Sequence, residues 1–325
     1  MYVCGEESKE LILIDMNKSD IEENFGDLVQ EEKSLISLLL DSSLIFQSNR
    51  VEYDAKIVIC GDTIQLYKFK RRKLIDKDLE LLEEDINDKD KNKFFDKDDL
   101  FKIENLSRKS EVGYMEYKNV LRSARQVKRL VLANEKIWKT FFTLTFEGVG
   151  AKNIDYANKR FNIWRTYMKQ LKSDFACIGV PEFQKRGVIH YHLLTNVDYN
   201  DFSILSEKER HIWNDKKKTW QIGRDIRGWK YGINMAKDLK GMNVIGYITK
   251  YLTKDFDNRL YSRRKYFYTR NIKRPIESNL DLSNLKHYEF LEKILKGKEL
   301  TFNNSYVDYF GDDVNFMEFT SQHNM

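Results

Sequence analysis

The segment VPEFQKRGVIHYHLL, residues 180–194, carries one carboxylate and two imidazoles close together. Side chains alternate along a β-strand, so His190 and His192 share one face while Ile189, Tyr191 and Leu193 take the other. A three-residue loop of Lys185, Arg186 and Gly187 puts glycine at the left-handed position such loops favour. That loop pairs Gln184 with Val188, Phe183 with Ile189 and Glu182 with His190. Directly opposed residues lie on one face, about 5 Å apart at Cβ. Glu182, His190 and His192 then converge on one point. Two imidazoles and a carboxylate suit a divalent cation with positions left open for water and phosphate oxygens.

A second set is Tyr247, Lys250, Tyr251 and Lys254, spaced as YxxKYxxK. Positions i and i+4 are neighbours on a helix, so the tyrosines share one face, roughly 6 Å apart along the axis. The lysines stack beside them. A phenol with a pKa of about 10 is a poor nucleophile when protonated. Nearby ammonium charge favours the phenolate, and tyrosine is able to form covalent intermediates. The same spacing also fits an amphipathic helix with tyrosines in the core and lysines in solvent. A third run, TFFTLTF at 140–146, reads as a buried strand with Thr143 and Thr145 on one face, a pattern equally at home in plain sheet core.

The elements that must hold these residues are read from periodicity. Residues 51–70 alternate as a hairpin turning at Gly61–Asp62. Residues 74–104 are highly charged and read as a helix or hinge. Asp88, Asp90 and Asn92 imitate the start of a calcium loop, but Lys93 and Asp99 stand where glycine and glutamate belong. Residues 113–135 form a basic amphipathic helix with Val120, Val127 and Val131 on one side, ringed by arginines and lysines. Residues 152–173 form a long helix through Tyr156, Phe161, Trp164, Met168 and Leu171. Strands are expected at 175–183 and 188–195, helices at 201–220 and 241–254, and a basic, aromatic strand and turn at 260–275. Helices alternating with paired strands make the fold class α+β.

Charge divides the chain. Residues 1–110 hold 18 Lys+Arg against 26 Asp+Glu, a balance of −8; residues 111–280 hold 34 against 17, or +17; residues 281–325 hold 4 against 8, or −4. The central segment thus concentrates a positive field of the kind that attracts phosphate backbones. Three regions follow: an acidic N-terminal region at 1–110, a basic domain at 111–280 and an acidic C-terminal tail at 281–325. The acidic start of the chain lacks the basic, then apolar, pattern of a signal peptide. No apolar run is long enough to span a membrane. Cys4, Cys60 and Cys177 are odd in number with no CxxC, which fits a reducing cytoplasm and argues against a thiolate zinc site. Trp229, Tyr266 and Tyr268 are candidates for stacking on bases.

The order of these pieces, a TFFTLTF strand, a helix, an HxH strand and a YxxKYxxK helix, resembles the HUH (His-hydrophobic-His) endonucleases of rolling-circle replication. The likeness is nearest to initiators of microviruses and filamentous phages, and covers roughly residues 115–275. It extends to the basic stretch Tyr266–Pro275, similar to a segment those proteins carry after the tyrosine helix. The resemblance implies an α+β HUH fold, a central five-stranded antiparallel sheet with flanking helices. It implies a divalent metal, Mg²⁺ or Mn²⁺, held by His190 and His192, with Glu182 matching an acidic third ligand whose place varies in the family. It implies Tyr247 and Tyr251 as nucleophiles, and Lys250 and Lys254 near the scissile phosphate. Arg264, Lys265, Arg270, Lys273 and Arg274 are the expected DNA contacts. The implied activity nicks and rejoins single-stranded origin DNA through a 5′-phosphotyrosine, leaving a 3′-hydroxyl primer, in a bacterial host cytoplasm. No GxxxxGK[ST] motif is present, so a separate helicase and a DNA polymerase are the expected partners. A relaxase or transposase would use the same chemistry, but the HUHxxxH histidine of relaxases is missing, since Leu194 and Asn196 stand in its place. A DNA-binding replication regulator without nuclease activity would need the basic and aromatic residues but not the Glu–His–His set.

Overall fold

The computed structural model describes residues 50–76, 111–148, 150–184, 186–214, 218–240, 243–253, 264–308 and 311–321. The charged stretch expected to be a helix or hinge, with its imitation calcium loop, lies almost wholly outside them. The chain divides into two compact units, Asp85–Arg274 and Met1–Glu84 with Pro275–Met325. Among the described residues no helix is long and apolar enough to cross a membrane.

The Asp85–Arg274 unit is built on one antiparallel sheet. Its strands are β3 (Thr140–Thr145), β4 (Cys177–Phe183), β5 (Ile189–Thr195), β6 (Leu205–Asn214), β7 (Thr219–Ile226), β8 (Asn234–Asp238) and β9 (Phe267–Tyr268). Their order is β6-β7-β8-β3-β5-β4-β9, seven strands rather than the five expected. The stretch 201–220, read as helical, supplies β6 and the start of β7 instead. Its outer half is solvated on both faces, so burial imposes no period on its sequence, and charged residues beside Ile212 and Trp213 imitate a helix.

Helices cover both faces of this sheet. Helix α2 (Ile154–Leu171) buries Phe161, Trp164 and Met168 against Phe142, Tyr191 and Leu193. It begins where Asn153 accepts hydrogen bonds from the amides of Asp155 and Tyr156, satisfying donors that a helix start leaves orphaned. Trp229 belongs to this core: it is buried and donates its indole N–H to the Thr145 carbonyl at 2.9 Å. It is not available to bases. On the opposite face lie helix α1 (Glu111–Ala133) and helix α3 (Val244–Thr253), packed on Phe141, Ile178, Val180 and Leu194 through Val127, Leu130, Val131 and Ile248. The valine stripe of α1 is buried as its spacing predicts. Two of the cations expected around it, Lys128 and Arg129, are buried as well.

The other unit joins sequence from both ends of the chain. Strands β1 (Arg50–Cys60) and β2 (Thr63–Asp76) form the expected hairpin, turning at Gly61, whose φ of 61° is left-handed. They pair with β10 (Ile276–Leu280), β11 (Lys298–Val307) and β12 (Asp313–Ser321) in the antiparallel order β10-β1-β2-β12-β11. Helix α4 (Leu285–Leu295) packs Phe290, Leu291 and Ile294 on Ala55, Ile57, Ile64 and Leu66. The acidic stretch 281–325 is therefore structural: it completes a sheet begun more than 200 residues earlier.

Candidate metal centre

Strands β4 and β5 are buried along their whole length. Their turn closes with the Gly187 amide donating to the Gln184 carbonyl at 2.7 Å and the Gln184 amide to the Val188 carbonyl at 2.9 Å. Gly187 has φ 83°, a conformation that a side chain would strain. This turn fixes the register expected from sequence: Glu182 opposes His190, Phe183 opposes Ile189, and Val180 opposes His192. Glu182, His190 and His192 share the α1–α3 face, with one potential ligand atom of each within 4.8 Å of the others.

All three are buried, at 5%, 7% and 4% exposure. His192 Nε2 lies 2.6 Å from Glu182 Oε2. Burying a carboxylate costs several kcal/mol, on the order set by lost hydration, unless a partner compensates, and His192 is that partner here. The histidine rings are also held from behind. His192 Nδ1 lies 3.4 Å from Thr143 Oγ1, and His190 Nδ1 lies 3.4 Å from Gln184 Nε2. Gln184 accepts in turn from Arg186 Nε at 3.0 Å. Backing of this kind orients imidazoles that ligate metals. The donor set fits a divalent cation: two imidazoles and one carboxylate on one face, leaving coordination positions open. A cation bound there takes the place of the proton shared by His192 and Glu182.

Helix α3 brings Tyr247 to the same face. Asn243 starts the helix by accepting the Gly246 amide at 2.9 Å. The Phe141 ring links the two halves of the site, lying 4.5 Å from the Tyr247 ring, edge-on, and 5.8 Å from His192, stacked. Lys250 and Tyr251 belong to α3, but their side chains, and all of Lys254, lie outside the described residues. A cleft of about 730 Å³ at the turn end of the sheet is lined by Phe146, Lys152, Asn153, Arg186 and Val188. It excludes the three candidate ligands and meets them through Arg186 and Gln184.

The basic segment after α3 is anchored rather than loose. The Thr269 amide donates to the Cys177 carbonyl and the Cys177 amide to the Thr269 hydroxyl. The buried Asn134 side chain bonds both the amide and the carbonyl of Lys273, each at 2.8 Å. Arg264, Arg270 and Arg274 are exposed, and Lys265 and Lys273 half-buried. Tyr266 and Tyr268 stack on each other at 6.2 Å and pack on the core under α1 and α3. Burial pushes the Tyr266 phenol above its ordinary pKa. Sequence reasoning missed Phe141, Gln184 and Asn134. For Phe141 the signal was present, because Thr143 and Phe141 share the histidine face once β3 pairs with β5.

No curated protein and no solved structure matches the chain. Residues 139–256, from β3 through the histidine hairpin and α3, match the family model of the replication-associated protein ORF2, a match that supports a role in replication initiation.

Proposed function

We propose that the chain is a rolling-circle replication initiator of the HUH type, a metal-dependent endonuclease that nicks and rejoins single-stranded DNA. The observation that carries this reading is the approach of Tyr247 to the Glu182–His190–His192 cluster across the Phe141 ring, inside the segment that matches a replication-associated family. Glu182, His190 and His192 would hold a divalent ion, Mg²⁺ or Mn²⁺. When bound, it supplies Lewis-acid polarisation of a phosphate. Tyr247, or Tyr251 one turn on, would attack phosphorus through its phenol oxygen as the phenol gives up its proton. The P–O3′ bond breaks, the 3′ oxygen takes a proton, and the 5′ phosphate stays on the tyrosine. One phosphodiester replaces another, so rejoining needs no nucleotide hydrolysis. Lys250 and Lys254 favour the phenolate by their charge. Arg264, Lys265, Arg270, Lys273 and Arg274 would run along the strand, and a separate helicase would open the duplex.

The test uses randomised-sequence single-stranded DNA labelled at its 3′ end, incubated with the full chain and Mn²⁺. The label should become covalently attached to protein, and peptide mapping should place it on Tyr247 or Tyr251. Each single Tyr→Phe change should keep some cleavage if both react, and the double change should remove it. An adduct that persists in the double variant places the nucleophile elsewhere. His190→Ala with His192→Ala should abolish adduct formation in a folded protein; undiminished cleavage by that variant in chelator would remove the metal from the reaction.

A further inference from the structure

The β6–β7 ribbon carries an exposed aromatic face that the proposed reaction does not use. Trp213 and Trp220 are directly opposed across the two strands, with ring centroids 5.3 Å apart. They are 43% and 62% exposed, and Ile222 on the same face is 48% exposed. Strand β8 meets β7 at Arg224–Ala236, so the indole end of the ribbon is paired only within itself. Ala236 belongs to the core beneath α2, which places the tryptophans on the face opposite Glu182, His190 and His192.

The surroundings of this pair are cationic. Lys208, His211 and Lys218 are exposed, while two nearby acids are engaged: Asp225 by Arg210 at 3.0 Å and Glu209 by Arg224 at 3.4 Å. Exposed indoles beside uncompensated lysines match unpaired bases on a phosphate backbone, since every base has a face to stack and every phosphate a charge to neutralise. The patch is small, and a stable protein interface needs about 800 Å² on each side.

We infer that the β6–β7 ribbon is a second binding surface for single-stranded DNA, taking bases on Trp213 and Trp220 away from the cleavage site. The inference rests on the proposed reading of single-stranded DNA as substrate. Two contacts on opposite faces of one sheet would hold the strand at a distance from the nick.

Fluorescence tests it directly. Of the five tryptophans, Trp138, Trp164 and Trp229 are buried, so emission that bases are able to quench comes from Trp213 and Trp220. Oligothymidylate added to the full chain in chelator should quench that emission. Trp213→Val with Trp220→Val keeps strand propensity and should raise the Kd for labelled oligothymidylate by about fivefold or more per stacked base. Trp213→Tyr with Trp220→Tyr should bind nearly as the parent, which separates ring stacking from ribbon folding. Binding without quenching, or unchanged affinity in a folded valine variant, overturns this surface but leaves the proposed function standing. Self-association that the valine variant abolishes overturns it in favour of contact between copies. No binding by the parent chain defeats both.

Discussion

At the scale of single residues, Phe141 is the part of the site that sequence spacing does not announce. Its ring separates an imidazole from a phenol that belong to different elements. Phe141→Leu retains most of the buried volume, at a cost of about 1–2 kcal/mol. Mn²⁺ affinity should stay at the parent value while the rate of adduct formation falls at least tenfold. Equal rates would mean that Tyr247 is positioned by α3 alone. Glu182→Gln keeps shape and removes charge. Titration calorimetry should show Mn²⁺ binding weakened by about tenfold or more, with both histidines still present.

At the scale of elements, the β4–β5 hairpin was legible because several constraints coincide. Gly187 allows only a short list of loops, a one-residue slip would turn every side chain over, and both strands are buried. The β6–β7 ribbon was not legible for the opposite reason: Trp213, Trp220 and Ile222 face water, so no buried face records the period. The count of five strands came from resemblance, and β6 with the two-residue β9 exceeds it. Asn134 is another feature beyond local reading, since its partner Lys273 is 139 residues away. Asn134→Ala leaves the Lys273 backbone groups without their side-chain partner, costing about 1–3 kcal/mol. Amide exchange should quicken at 266–274, and affinity for single strands should fall while Mn²⁺ affinity holds. Unchanged exchange there would show that Thr269 and Asn271 suffice as anchors.

At the scale of the whole molecule, the basic balance of residues 111–280 predicts that log K for single strands falls with log salt by about 0.7 per neutralised phosphate; salt-independent binding would exclude the electrostatic contribution. The other unit has its own pH signature. His287 is buried and accepts the Asp281 amide through Nδ1 at 2.9 Å. Burial holds its pKa below the ordinary 6.5, against the opposing pull of Asp281 and Asp54. The unfolded chain therefore takes up the proton first. Stability from this group is complete above pH 6.5 and declines as pH falls from there towards the lowered folded value. Thermal melts at pH 7.5 and 5.5 should show that loss, and His287→Gln should flatten it.

The split sheet of that unit also has a consequence for synthesis. The β1–β2 hairpin leaves the ribosome first, whereas β10 and β12, which flank it, emerge only after the whole intervening unit. At about 5–20 residues per second, both outer edges of the hairpin stay open for many seconds, and open edges invite pairing with other chains. Strand β2 meets that interval with Lys68, Lys70, Arg71, Arg72 and Lys73, cations that oppose such pairing. Their counter-ions are among the last residues made. Asp313 meets Lys70 at 2.8 Å, Asp308 and Asp312 meet Lys73 at 2.8 and 2.9 Å, and Asp281 meets Arg72. The acidity of the late segment thus ends the self-repulsion of the early one, and the nascent hairpin keeps its solubility until its own neighbours arrive.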